Sequence, residues 1–213
     1  SVTTAWTIVT GAGYRNCYEN STGWIIIHPD EAIVGRVLTA QYMPSYPDYN
    51  AALMRQGRAE GRIGNSNSWP IDMLQKGDVY VADGFGKVLD GTLIGDNLGN
   101  AIYAKSGNGV IFDGGVRDLE GLEEIKGFNA WHKGADPSYL REVMLTSINV
   151  PIRIGRAVAC PGDVVLAKRE GIVFVPAHLA EKVVTQSEAM TLRDMFGHQR
   201  LRGCERRPGK ARE

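Results

Sequence analysis

An α/β or α+β fold is predicted for this chain by two observations. Short β-branched apolar runs, each bounded by glycine, proline or aspartate, recur along its length. Between them lie segments with the spacing and composition of helices, so that strands and helices alternate. Length and composition set the frame: 213 residues, 43% apolar and 23% charged, make an ordinary globular chain with room for one large domain or a domain with an extension.

Taken in order, the opening "TTAWTIVTGAGY" is rich in Thr, Val and Gly and reads as a poor helix. Strands are expected in "GWIIIH" near residue 25, "AIVGRVLTAQYM" from Ala32, "GDVYVADGFG" from Gly77, "GVIFDGG" from Gly109, "VPIRI" from Val150, "GDVVLAK" from Gly162 and "GIVFVP" from Gly171. Helices are expected over 49–60, 99–106, 119–125 and 177–193, the last opened by Pro176. The pair "GDVVLAK-REG-IVFVP" reads as a hairpin with a three-residue turn. Residues 131–148 are polar and poorly periodic, and read as a long loop with a helical turn near 137–144. A domain over 1–185 is expected, followed by a helix and basic tail over 186–213.

Twenty-four basic residues balance twenty-four acidic ones, so no global field draws the protein to nucleic acid or to an anionic membrane. The tail basic residues Arg200, Arg202, Arg206, Arg207 and Lys210 read as a solvated end rather than a nucleic-acid site. No apolar run is long enough to span a bilayer. Cys17, Cys160 and Cys204 are scattered, with no C-x-x-C spacing, and a cytoplasmic setting is expected.

Two neighbouring stretches carry the chemistry. "GTLIGDNLGN" (from Gly91) and "GVIFDGGVRD" (from Gly109) place twenty residues between Asp96 and Arg117, with Asp118 next, a pattern D-x20-R-D. That spacing is one helix plus one strand. With 91–95 as a turn and a helix from Asn97, a helix start and a strand end face one crevice, where ligands of such sheets collect. The amides of Gly95, Asp96, Asn97 and Leu98 would then be free donors for a carboxylate or phosphate. Arg117 offers a planar fork for a carboxylate, and Asp118 a hard oxygen for Mg²⁺ or Mn²⁺, which keep most of their waters. The plainer alternative is that Asp118 caps the helix that follows and Arg117 pairs with Asp113 or Glu120.

These stretches, with "VPIRIG" and "ACPGDVVLAKREGIVFVPAHLAEKV" downstream, resemble the RraA-like family over about residues 32–184. The family holds metal-dependent 4-hydroxy-2-oxoacid aldolases and the ribonuclease-binding regulator RraA. The resemblance implies a swivelling β/β/α domain with a C-terminal helical arm, assembled as trimers or hexamers with the site at a subunit boundary. It places substrate binding on Gly95, Asp96, Asn97, Leu98 and Arg117, the metal on Asp118, and a metal-bound water on Asp96. The implied activity is that of a carbon–carbon lyase releasing pyruvate from a 4-hydroxy-2-oxo acid, with oxaloacetate decarboxylation as a second reaction; the alternative is a non-catalytic ribonuclease binder. The family's glutamate from a neighbouring subunit has no clear counterpart here, Glu188 being the nearest guess.

Other signals are weaker. His28, His132, His178 and His198 show no metal-ligand spacing, and His132, beside Trp131 and Lys133, is the one kept as a substrate contact. Dinucleotide, P-loop and G-x-S-x-G motifs are absent from the sequence.

Overall fold

The structure is a computed structural model that describes residues 1–204. Its opening helix α1 (Val2–Gly11) corrects the expectation of a poor helix. Ser1 caps it by accepting a hydrogen bond from the Thr4 amide, and Val2, Ala5, Ile8 and Val9 are buried. They share a core with Val173, Val175 and Val183, so burial of one face outweighs the low propensity of Thr and Val.

Next come β1 (Tyr18–Asn20), β2 (Ile25–Ile26), the long β3 (Ile33–Pro44), α2 (Pro47–Ala59), α3 (Trp69–Met73) and β4 (Asp78–Asp83). Then follow β5 (Thr92–Ile94), α4 (Asp96–Ser106), β6 (Val110–Asp113), β7 (Gly115–Val116), α5 (Leu119–Glu123), β8 (Ala130–His132) and β9 (Gly134–Ala135). The chain continues through β10 (Val143–Ile148), the hairpin β11 (Ile152–Ile154) and β12 (Ala157–Ala159), β13 (Val164–Lys168), β14 (Gly171–Val175) and α6 (Ala180–Cys204).

The main sheet runs β1-β14-β13-β3-β4-β6-β8-β2, with β10 beside β3. Its centre, β3-β4-β6-β8, is parallel. Alternate residues of these strands serve two cores. Ala40, Tyr80, Ala82 and Phe112 share one with Trp69, Ile102 and Leu122 of the helices. Val37, Val79, Val81, Ile111 and Trp131 share the other with the β11–β12 hairpin. Burial on both faces explains why β4 and β6 read as unbroken apolar runs.

Three expectations need correction here. Lys168 pairs with Gly171, so the β13–β14 turn has two residues, Arg169 and Glu170, and not three. The expected loop over 131–148 contains β8, β9 and β10, leaving residue 133 and 136–142 irregular and no helical turn near 137–144; strands of two or three residues and a register shift in β10 hide the alternation that marks a strand. Residues 91–95 are not a simple turn, since Thr92–Ile94 forms β5.

Helix α6 runs unbroken through residue 185. Val183 is buried and Met190 packs beside it against the α1 core, while Leu192, Met195, Phe196 and Leu201 are exposed. No helix among the described residues is long and apolar enough to cross a membrane. Arg200 and Arg202 lie on α6, whereas Arg206, Arg207 and Lys210 fall outside the described residues.

Candidate active site

The site grows from a small parallel sheet, β5-β7-β9, set beside the main one. Thr92 pairs with Gly115 and Ile94 with Val116, and Gly115 and Val116 pair in turn with Gly134 and Ala135. The residues that leave the carboxyl ends of these strands are Gly95, Arg117 and Asp136. All three ends open on one crevice of about 660 Å³, lined by Asp96, Arg117, Asp118, Glu120 and Asp136 among others. The spacing D-x20-R-D thus becomes adjacency through one helix and two strands.

Gly95 is the N-cap of α4, and the first backbone N–H to close the helix is that of Gly99, which donates to the Gly95 carbonyl at 2.9 Å. The Asn97 amide is taken by the Asp96 carboxylate at 2.7 Å, so it is not the free donor expected. Among the described residues the Gly95, Asp96 and Leu98 amides have no protein acceptor and remain as unpartnered donors at the helix start.

Asp118 stands at the start of α5 with left-handed backbone, φ 55° and ψ 49°. Its side chain makes no capping bond; instead it lies 3.2 Å from Arg117 Nε. Arg117 donates to the Ser138 carbonyl at 3.4 Å and pairs with neither Asp113 nor Glu120. Asp118 thus gives no side-chain cap, and the surface ion pair of Arg117 is with Asp118 rather than with Asp113 or Glu120. Asp, with its short polar side chain, tolerates the left-handed region better than most residues, and here that backbone turns the carboxylate away from its own helix.

Glycines make the convergence possible. A Cβ on Gly95 would stand 2.2 Å from Asp118 Oδ2 and 2.8 Å from Arg117 Nε. A Cβ on Gly121 would meet that of Asp96 at 2.6 Å, and one on Gly99 would meet Leu122 at 2.4 Å, so α4 and α5 approach closely only because these residues lack side chains. Gly95→Ala is expected to displace both Asp118 and Arg117 and to cost roughly ten- to hundred-fold in activity. Thermal melting on the same sample should show little loss, because neither displaced side chain is in the core; unaltered turnover would mean the two groups are not positioned against Gly95.

Asp136, Ser138 and Thr92 escaped the sequence reading. Asp136 accepts from the Ser138 amide at 3.1 Å and from the Asp90 amide at 3.4 Å. Hydrogen bonds from Ser138 and from the Asp90 amide hold its carboxyl below the usual range. The turn so formed presents the Ser138 carbonyl to both Arg117 and the Thr92 hydroxyl. The available signal was "DPS", an Asx-turn signature directly after the glycine-bounded β9.

His132 is corrected as a substrate contact. It is fully buried, its Nδ1 lies 3.1 Å from the Gly134 carbonyl, and burial pushes its pKa below the ordinary value. Glu188 is exposed on α6 and does not line the crevice of this chain.

Among the described residues no three His, Cys, Asp or Glu side chains are grouped to hold an ion. One half-exposed carboxylate, Asp118, with Asp96 nearby, fits a hard ion that keeps most of its waters, and does not fit structural zinc.

A profile of the RraA-like family, described as Aldolase/RraA, matches residues 9–174. The chain belongs to the RraA-like family. Within it, the chain is 30% identical over 100 residues to the 4-hydroxy-4-methyl-2-oxoglutarate aldolase of Thermus thermophilus, an alignment covering 47% of this chain and 60% of that protein. It is 26% identical over 161 residues to protein DlpA of Legionella pneumophila, covering 75% of this chain and 24% of DlpA. The chain thus spans less than two thirds of these relatives. The crystal structure of Streptomyces coelicolor RraAS2, described as an unusual member of the RNase ES inhibitor RraA protein family, superposes with a TM-score of 0.77 at 27% identity, covering 94% of this chain and 93% of that one. The α/β architecture with its C-terminal helix is accordingly that of RraA-family folds.

Proposed function

We propose that this RraA-like protein is a divalent-metal-dependent lyase that cleaves 4-hydroxy-2-oxo acids to pyruvate and a second carbonyl compound. The observation that carries the reading is the meeting of Arg117 and Asp118 with the free amides of Gly95, Asp96 and Leu98 at two neighbouring strand ends. Arg117 holds the pyruvyl carboxylate or oxo group, with the amides as further donors. Asp96 keeps one carboxylate oxygen without a protein partner among the described residues and accepts the 4-hydroxyl proton. The C3–C4 bond then breaks, C4 becomes a carbonyl, the electron pair of that bond forms the pyruvate enolate, and the proton held by Asp96 is delivered to C3. Asp118 would hold Mg²⁺ or Mn²⁺, which supplies Lewis-acid stabilisation of the enolate oxygen when bound. Decarboxylation of oxaloacetate reaches the same enolate. The test is a lactate-dehydrogenase-coupled pyruvate assay on a panel of these acids, with Mg²⁺ and with EDTA. Metal-dependent pyruvate release is expected, and none from any substrate would sink the reading.

A ribonuclease-binding role is the second reading, favoured by the full-length match to RraAS2. A non-catalytic binder would leave Asp118→Asn indistinguishable from wild type in ribonuclease inhibition and produce no pyruvate.

The proposal includes a cytoplasmic homo-oligomer, trimer or hexamer, in which 1–185 form the catalytic domain and 186–213 the assembly arm. Leu192, Met195 and Phe196 lie at i, i+3 and i+4, each more than 60% exposed, on the side of α6 away from Val183 and Met190. Light scattering at micromolar concentration is expected to show the oligomer, and a Leu192→Glu/Phe196→Glu variant to show monomer; a monomeric wild type would remove the shared-site part of the proposal.

A further inference from the structure

Arg117 is held on one side by Asp118 and on the other by a backbone carbonyl, and the supports of that carbonyl lie outside the reacting groups. Nη1 donates to the Ser138 carbonyl at 3.4 Å, while Nη2 has no protein partner among the described residues. Two residues fix the Ser138 peptide in turn. The buried Thr92 of β5 donates its hydroxyl to the same carbonyl. The Asp136 carboxylate accepts from the Ser138 amide at 3.1 Å and closes the turn over Asp136, Pro137 and Ser138, in which proline has a preset φ and no N–H to satisfy. Asp136 is anchored as well: its own amide donates to the Val116 carbonyl at 3.1 Å, one residue before Arg117, and its carboxylate accepts from the Asp90 amide at 3.4 Å. The Asp90 carbonyl accepts the Arg141 and Glu142 amides at 3.1 and 2.9 Å, so the irregular segment 136–142 is tied at both ends to one residue.

An arginine side chain left free samples many rotamers, and a planar fork that must meet a carboxylate in one orientation gains from being ordered beforehand. We propose that Asp136 and Thr92 are positioning residues, which together set the Ser138 carbonyl as a fixed acceptor and so orient the Arg117 guanidinium in the crevice. The effect on turnover rests on the pyruvyl-lyase reading above; the ordering of the guanidinium does not. Asp136 acts here through an acceptor oxygen and not through its charge. Asparagine keeps that oxygen and alanine does not, whereas a carboxylate that took a proton or held a metal would lose its function in both replacements. Serine likewise keeps the hydroxyl of Thr92, and valine keeps only its shape.

Asp136→Ala, Asp136→Asn, Thr92→Val and Thr92→Ser in the full chain test this by two readouts. In the pyruvate assay with Mg²⁺, the alanine and valine variants are expected to lose about ten-fold in kcat/KM, and the asparagine and serine variants to stay within about three-fold of wild type. The second readout is the NMR signal of the Arg117 guanidinium N–H groups, identified by its loss in Arg117→Lys, which reports ordering without turnover. Slow guanidinium rotation is expected in wild type, Asp136→Asn and Thr92→Ser, and faster rotation in Asp136→Ala and Thr92→Val. If the wild type releases no pyruvate but the resonances follow this pattern, the lyase reading fails and the positioning inference stands. Unaltered Arg117 resonances in Asp136→Ala or in Thr92→Val overturn the inference and leave the lyase reading standing. Asp136→Asn as inactive as Asp136→Ala also overturns it, since the carboxylate would then act by its charge.

Discussion

Asp118→Asn is expected to lose at least about a hundred-fold in pyruvate-forming activity, the several kcal/mol that a metal contributes to a developing enolate. Its fold should be untouched. The Asp118 side chain is half-exposed, caps no helix and, among the described residues, pairs with Arg117 alone, an exposed pair that contributes at most about 1 kcal/mol. Asparagine is moreover among the residues that best tolerate left-handed backbone, so the strained position at φ 55° accepts it. The charge is therefore removed with almost nothing else changed. Mg²⁺ titration by calorimetry, beside kinetics and thermal melting of the same preparation, measures the three effects separately. Unchanged metal affinity with unchanged turnover would withdraw the metal role from Asp118.

Arg117→Lys is expected to depress turnover by roughly ten- to thousand-fold, the range for losing one oriented donor of an oxyanion site. Lysine keeps the charge but not the planar fork, and it cannot at once reach the Ser138 carbonyl and Asp118 as the guanidinium does and still present a donor pair to a substrate. Metal affinity should survive, which separates this variant from Asp118→Asn. A guanidinium that served only as scaffolding would tolerate lysine, and near-native kcat in Arg117→Lys would falsify the substrate-holding role.

The candidate site was legible because its residues are local in sequence. Gly95, Asp96, Arg117 and Asp118 sit at the two ends of one helix–strand–strand excursion, whose length is set mainly by helix rise and strand rise. Asp136 was less visible. It reaches the crevice from β9, a two-residue strand with no periodicity to read, and it enters only because β9 pairs with β7. His132 shows the opposite failure: a polar residue within an expected loop proved to be on a parallel strand of the main sheet with no exposure at all.

By itself, then, the sequence determined the α/β alternation, the hairpin near the end and the donor types of the site, because apolar periodicity, turn residues and side-chain chemistry are properties of neighbours along the chain. Tertiary structure alone decided that α1 is a helix, that Asp118 faces Arg117 instead of its own helix, and that Asp136 joins them. Those outcomes depend on burial of α1 against β14 and α6, on the missing Cβ atoms of Gly95 and Gly121, and on the register of β5-β7-β9. Each is a contact between segments whose separation in sequence carries no signal of their proximity in space.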